Sequence, residues 1–188
     1  LGGVNNDVIV AVIDTGAKTD HPDLVDSIWL NEEERNGITN FDDDNNGYVD
    51  DINGWNFALG SNNPSPSSTS VGNKHGTHVA GLIGAVGNNG AGSAGINYSN
   101  VKLMILNIFN ASDQANTTSL ILALRYAAAN GAKIINLSLS TPISSDAVRD
   151  EILEVTNAGV TVIAAAGNSY ADMDSQPAYP AYYSKTIS

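Results

Sequence analysis

Alternation between apolar runs and helical segments limits most strongly how this chain can fold. Residues 8–13 are six consecutive apolar residues without helical spacing, and they end at Asp14. Such a run indicates a strand that is buried on both faces of a parallel sheet. The same alternation continues with predicted strands at residues 101–109, 133–139 and 160–166 and predicted helices at residues 117–130 and 146–158. We therefore expect one α/β domain over residues 1–188, with three α/β/α layers and a mostly parallel central sheet.

Composition excludes several classes of protein. The net charge of −12 leaves little basic surface to neutralise phosphates, so we expect no nucleic-acid partner. No apolar run approaches the roughly 20 residues of a membrane span, so we expect no membrane partner either. The absence of cysteine excludes disulfides and thiolate catalysis. Because 8 of the 20 acidic residues lie within residues 32–51, the acidity indicates a local cation site.

Residues 75–81, His-Gly-Thr-His-Val-Ala-Gly, begin a predicted helix of small residues. We expect Thr77 to be its N-terminal cap. A histidine that is fixed at a helix start and faces a cleft can transfer protons near neutral pH, which favours His75 as a catalytic residue. The alternative, taken from this stretch alone, is that one of the two histidines is a hydrogen-bonded structural residue.

Residues 40–51 have the rhythm of a calcium-binding loop. Alternate polar side chains and one backbone carbonyl can converge on a hard cation, and Gly47 permits the sharp turn. Asn53 occupies the position where an EF-hand has its glutamate, and the flanks are not two long amphipathic helices. We therefore expect a calcium loop on another scaffold, the alternative being a solvated acidic turn. Its predicted ligands are Asp42, Asp44, Asn46, Tyr48, Asp50 and Asp51.

Three polar residues fall at comparable places in the predicted fold. Asp14 and Asn168 each follow a strand, and His75 begins a helix. A carboxylate can orient an imidazole and stabilise its protonated form, while an amide can donate to a developing oxyanion. The three residue types together indicate acyl-transfer chemistry.

Four sequence motifs occur in a fixed order along the chain. They are Val-Ala-Val-Ile-Asp-Thr-Gly at 10–16, His-Gly-Thr-His-Val-Ala-Gly at 75–81, Ile-Ile-Asn-Leu-Ser-Leu-Ser at 134–140 and Ala-Ala-Ala-Gly-Asn at 164–168. In these motifs and in their order the chain resembles the subtilisin-like serine proteases, the subtilase family. The resemblance covers nearly the whole chain, and Tyr179-Pro180 fits the next segment of the family.

The resemblance implies a role for each matching position. Asp14 is then the triad carboxylate, His75 the general base and Asn168 the oxyanion donor, with His78 a structural residue. One wall of the substrate-binding cleft would be Ser138, Leu139 and Ser140, and the opposite wall would include Ala165 and Gly167. Asp23 and Asn89 would belong to a second calcium site.

The family's nucleophile lies in a Gly-Thr-Ser-Met-Ala motif, which does not occur in these 188 residues. We therefore expect a catalytic domain truncated at its C-terminus, inactive alone, from a secreted or cell-surface and bacterial serine endopeptidase. Its expected partners are polypeptide substrates and either its own C-terminal part or a propeptide.

Two alternatives belong to other classes. A pseudoprotease or regulatory binding module would lack the serine, although it would not need Asp14, His75 and Asn168 together. A zinc hydrolase would use His75 and His78, but their spacing lacks the glutamate of His-Glu-x-x-His, and no third ligand is evident.

Overall fold

A six-stranded parallel sheet forms the centre of the molecule. The structure is a computed structural model that describes residues 7–67, 74–170 and 172–188. In the sheet the strands follow the order β2-β3-β1-β4-β5-β6, and all five neighbouring pairs are parallel. The strands are β1 (Val8–Asp14), β2 (Gly54–Asn56), β3 (Val101–Asn107), β4 (Ile134–Leu137), β5 (Thr161–Ala164) and β6 (Thr186–Ile187).

Helices cover both faces of this sheet and complete the three predicted layers. Alternate residues of each strand face opposite sides, so β1 sends Val10 and Val12 to one apolar cluster and Ala11 and Ile13 to the other. Helix α2 packs on the first side, whereas α3 and α4 pack on the second. The helices are α1 (Glu32–Asn36), α2 (His75–Gly84), α3 (Thr117–Ala129) and α4 (Asp146–Asn157).

The helix starts differ in how they are capped. Asn116 and Ser145 accept hydrogen bonds from the backbone N–H of Ser119 and Val148, which begins α3 and α4 in the usual way. The predicted cap of α2 is wrong: the helix already begins at His75, and Thr77 lies inside it. The Thr77 hydroxyl instead accepts a hydrogen bond from the Lys18 backbone N–H at 3.1 Å, so it joins α2 to the segment after β1.

No described helix combines the length and the apolarity that crossing a membrane requires.

Strand β4 ends two residues earlier than expected. The Asn136 amide donates to the Ser138 hydroxyl at 2.9 Å, just after the last paired residue. Thr141 then exchanges two backbone hydrogen bonds with Tyr179, at 2.9 and 2.8 Å. Residues 138–141 therefore leave the sheet and form a separate edge beyond it.

The order of the strands places a crevice beside the carboxyl end of β1. The chain after β1 builds β2 and β3 on one side of it and β4, β5 and β6 on the other. Open α/β sheets bind ligands outside the carboxyl ends of the strands at such a reversal. Asp14 is the last residue of β1 and therefore lies at this crevice.

Core packing around α3 gives a direct test of the fold. Leu124 is completely buried in the larger apolar cluster, while Leu122 in the same helix is 37% exposed. We expect Leu124→Ala to lower the free energy of unfolding by about 2–5 kcal/mol, because it removes a buried side chain and leaves a cavity. Leu122→Ala is the matched control and should cost less than about 1 kcal/mol; urea unfolding of both variants measures the difference. Equal costs for the two variants would contradict the packing described.

Candidate active site

A buried carboxylate and a half-exposed imidazole form a close pair at the crevice. Both carboxylate oxygens of Asp14 lie near the His75 Nδ1 atom, at 2.8 and 2.9 Å. The Asp14 side chain is 2% exposed and that of His75 is 48% exposed. An ionised carboxylate can only accept, so this contact fits the tautomer that carries its proton on Nδ1 and leaves Nε2 able to take one.

The turn after Asp14 fixes this pair from the side of the strand. The Thr15 backbone N–H donates to Asp14 Oδ1 at 2.7 Å, so the carboxylate cannot rotate freely. The Thr15 hydroxyl accepts the Gly76 N–H at 3.0 Å, which ties the first turn of α2 to the end of β1. A Cβ on Gly76 would lie 2.3 Å from the Gly16 carbonyl oxygen, so only glycine permits this close approach. These two contacts bring the histidine to the aspartate across 61 residues of sequence.

Asn168 lies in a cavity of about 640 Å³ beyond β4 and β5. Gly167 and Ser140 line the same cavity, and a Cβ built on Gly167 would lie 3.7 Å from the Ser140 hydroxyl. The predicted walls around Ser140 and Gly167 therefore face each other. Asn168 is exposed, so its amide is free of the core and open to a ligand in the cavity.

Leu139 and Ala165 do not line this cavity. Leu139 lines a neighbouring, mainly apolar cavity of about 480 Å³ together with Leu120 and Tyr179, and Ser140 borders both cavities. Ala165 is exposed, and its backbone N–H donates to the Leu137 carbonyl at 3.0 Å, which holds the end of β5 against β4. Ser138 is half-buried beside Asn136.

His78 does not join His75 in a common site. It lines another cavity together with His21 and Lys74. The described residues bring three potential metal-ligating side chains together at one place, and neither His75 nor His78 is among them. The geometry thus gives no support to the zinc alternative.

The group of metal-ligating side chains lies at the acidic loop and contains Glu34, Asp44 and Asp51. One carboxylate oxygen of each lies within 4.8 Å of the others. The Asn46 side chain donates to both Asp44 and Asp51, at 2.9 Å in each case. The structure therefore brings together three of the predicted ligands and adds one that the loop rhythm did not indicate.

Glu34 was missed because it belongs to α1, outside the loop motif. It is 3% exposed, and its carboxylate accepts the backbone N–H groups of Asp43 at 2.6 Å and Asp50 at 2.7 Å. A buried glutamate inside a run of acidic residues is unusual, but the sequence pattern does not distinguish it from its exposed neighbours.

The other predicted ligands of this loop make local hydrogen bonds. The Asp42 carboxylate accepts the backbone N–H groups of Asn46 and Gly47, at 3.0 and 2.9 Å. Asp50 accepts the Asn40 N–H at 2.9 Å. The Tyr48 ring packs edge-to-face against Trp55, Phe57 and Tyr126, which attaches the loop to the core.

Asp51 is the most deeply buried carboxylate of the loop. Its side chain accepts the Tyr126 hydroxyl at 2.5 Å and the Asn31 amide at 2.8 Å. Burial raises the pKa of Asp51; these hydrogen bonds oppose that shift, and the nearby Asp44 carboxylate reinforces it. Burial also raises the pKa of the Tyr126 hydroxyl, helped by the Asp51 charge, so the tyrosine stays a hydrogen-bond donor. A bound cation would be favoured here, because it would neutralise the negative charge of the buried Asp51 carboxylate.

Asp23 and Asn89 also meet, as expected. The Asn89 amide donates to one oxygen of the Asp23 carboxylate at 3.0 Å, and the Ser93 backbone N–H donates to the other at 2.8 Å. These hydrogen bonds lower the pKa of Asp23, that from Asn89 most strongly. The pair joins the segment after β1 to the loop after α2.

Comparisons with known proteins agree on one family. The model of the subtilase family (Peptidase_S8) matches residues 5–188. Subtilisin-like protease 1 of Plasmodium falciparum (isolate 3D7) is 37% identical over 168 residues, which is 89% of this chain and 24% of the relative. Thermitase of Thermoactinomyces vulgaris is 32% identical over 178 residues, 95% of this chain and 52% of the relative. The chain thus spans between about a quarter and a half of the length of these relatives.

The contact at Gly76 predicts opposite effects for two glycines of α2. We expect Gly76→Ala to lower the free energy of unfolding by about 1–3 kcal/mol, because the new methyl group overlaps the Gly16 carbonyl. Gly81 has open space where a Cβ would stand, so Gly81→Ala should raise stability by about 0.5–1 kcal/mol. Denaturant unfolding of the two variants measures both effects. A neutral Gly76→Ala would contradict the close approach.

Proposed function

This chain belongs to the subtilase family, and from that premise we propose that it supplies the aspartate, the histidine and the oxyanion donor of a serine endopeptidase. The observation that carries the proposal is the contact of the buried Asp14 carboxylate with His75 Nδ1 at 2.8 and 2.9 Å. It supports a proton-transfer role for His75, because a structural histidine has no need of a buried charge aligned on one ring nitrogen.

In the proposed reaction the imidazole moves one proton. His75 Nε2 removes the proton from a serine hydroxyl as the hydroxyl attacks the peptide carbonyl, and later gives it to the leaving amine. Asp14 holds the Nδ1–H tautomer and stabilises the imidazolium that forms between the two steps. The burial of Asp14 supports this role, since a charge away from water acts more strongly on its neighbour.

We assign the oxyanion contact to the Asn168 amide. Its place in the cavity between Ser140 and Gly167 supports this assignment. The extended edge at Ser138, Leu139 and Ser140 would bind the substrate backbone, and Ala165 and Gly167 would face it. Polypeptides are the substrate class that this family implies.

The nucleophile is proposed to lie outside these 188 residues, which contain no Gly-Thr-Ser-Met-Ala motif. The matched relatives, of which this chain spans a quarter to a half, leave ample length for such a segment. A chain without the nucleophile retains only weak catalysis, so we propose that this chain is inactive alone. Its partner would be the serine-bearing segment or a propeptide.

We further propose that calcium stabilises the fold at the acidic loop. Three carboxylates within 4.8 Å of one another fit a cation that prefers six to eight oxygen ligands. Glu34, Asp44 and Asp51 would hold the ion. Asp42, Asn46, Tyr48 and Asp50 would order the loop or complete the ligand set, and Asp23 with Asn89 remains the candidate for a second site.

A location outside the cell and a bacterial source also stay predictions. The matched relatives come from Plasmodium falciparum as well as from Thermoactinomyces vulgaris, at comparable identity. Neither source is therefore favoured for this chain.

The oxyanion assignment predicts a specific kinetic defect. In the gene product that includes the serine-bearing segment, Asn168→Ala should lower kcat about 10²–10³-fold with little change in KM, the range known for loss of this donor in subtilisin-like enzymes. The adjacent Ser169→Ala is the matched control and should keep kcat within about twofold. Steady-state hydrolysis of a chromogenic peptide measures both. A fall in kcat that is equal in the two variants would remove the special role of Asn168.

Calcium binding predicts a stabilisation that depends on Glu34. At a calcium concentration about 100 times its dissociation constant, the free energy of unfolding should rise by about 2.7 kcal/mol over the chelated protein. Glu34→Gln should greatly reduce this rise, whereas Glu33→Gln, an exposed neighbour in the same helix, should retain it. Thermal unfolding with calcium and with chelator measures the difference for each variant. Identical melting temperatures of the unsubstituted protein in both conditions would refute the site.

A further inference from the structure

Three buried polar residues lie side by side at the carboxyl edge of the sheet. In the register of the parallel strands, Asn56 of β2 is opposite Asn107 of β3, and Asn107 is opposite Asp14 of β1. Their exposed fractions are 1%, 0% and 2%. Of this row, the proposed mechanism uses Asp14 alone.

The two asparagines hold a short segment, residues 64–67, which we term the brace. Asn107 Nδ2 donates to the Ser65 carbonyl at 3.0 Å and to the Ser67 hydroxyl at 3.3 Å. Asn56 Nδ2 donates to the same hydroxyl at 3.3 Å. The Ser67 hydroxyl donates in turn to the Phe109 carbonyl at 2.9 Å. Ser67 is therefore bonded to the ends of both strands.

The brace is in close contact with the turn that follows Asp14. The Pro64 carbonyl accepts the Ala17 N–H at 3.3 Å. Gly16 has φ +81°, and a Cβ there would lie 2.2 Å from the Pro64 oxygen and 2.8 Å from Asn107 Nδ2. The opposite side of this turn contacts α2 through the bond between Thr15 and Gly76. Residues 14–17 are thus enclosed between the brace and the helix that carries His75.

We propose that Asn107 is a positioning residue for the Asp14–His75 pair, acting through the brace. Its amide group holds residues 64–67, and the brace encloses the turn at Gly16. In that turn the Thr15 backbone N–H orients the Asp14 carboxylate, and the Thr15 hydroxyl holds the start of α2. Asn107 itself contacts neither the imidazole nor a substrate. The proposal rests on the proposed function in that the aligned pair is taken to be the catalytic one.

NMR of the 188-residue chain tests this proposal by measuring the tautomer population of the His75 ring. Long-range proton–nitrogen spectra at about pH 8, above the range in which histidine side chains usually titrate, give the Nδ1–H fraction for each ring. The chain contains three histidines, so His75→Gln assigns its signal. We expect mainly the Nδ1–H tautomer in the unsubstituted chain. In Asn107→Leu and Ser67→Ala the population should shift toward Nε2–H, the form that the side chain of free histidine favours.

Glu151→Gln is the matched control, because it removes one partner of the Arg125–Glu151 ion pair between α3 and α4 without touching the brace. It should keep the tautomer of the unsubstituted chain. Ser67→Ala, at a half-buried position, keeps the test decisive if Asn107→Leu does not fold. An Nδ1–H fraction that is unchanged in the folded variants overturns the role of Asn107 and leaves the proposed function intact. An unsubstituted chain that already favours Nε2–H contradicts the aligned pair itself.

Discussion

The rest of the site depends on one hydrogen-bonded contact, that between the buried Asp14 carboxylate and His75 Nδ1. A carboxylate that is 2% exposed is costly unless its oxygens are satisfied, and here the imidazole and the Thr15 N–H satisfy them. Its position follows from the fold, since Asp14 ends the central strand at the reversal of strand order. The sheet therefore supplies a fixed charge, and α2 brings the titratable group to it.

The acidic loop likewise contains a buried carboxylate that is held by hydrogen bonds from other parts of the fold. Asp51 is completely buried and accepts hydrogen bonds from Tyr126 on α3 and from Asn31. The chain then enters β2 three residues later, so the loop fixes the start of the edge strand. Since β2 ends at Asn56, which bonds to Ser67, the acidic loop and the brace lie at the two ends of one short strand. Any cation that neutralises the loop would stabilise that strand as well.

Local patterns predicted β1, β3, β4 and β5, but not the three-residue edge strand β2. They also placed Asp14 at the carboxyl end of β1. The apolar run at residues 8–13 predicts a buried strand from local sequence alone. A polar residue that directly follows such a strand is expected at the crevice, as Asp14 is. The sequence patterns did not predict features that depend on contacts between residues distant in sequence. Thr77 bonds to Lys18 across 59 residues, and Asn107 bonds to Ser67 across 40. Glu34 is distinguished from Glu33 only by its burial, which tertiary packing decides. The early end of β4 likewise follows from the pairing of Thr141 with Tyr179.

Labelling with an active-site fluorophosphonate, read by intact mass, tests most directly whether this chain is the acid–base part of a serine protease. The probe forms a covalent bond only with an activated serine, so it reports the nucleophile without a choice of substrate. We expect one added label on the gene product that includes the serine-bearing segment and none on the 188-residue chain. His75→Ala in the longer product should abolish the label. A label on the short chain would place an activated serine within it and contradict the account.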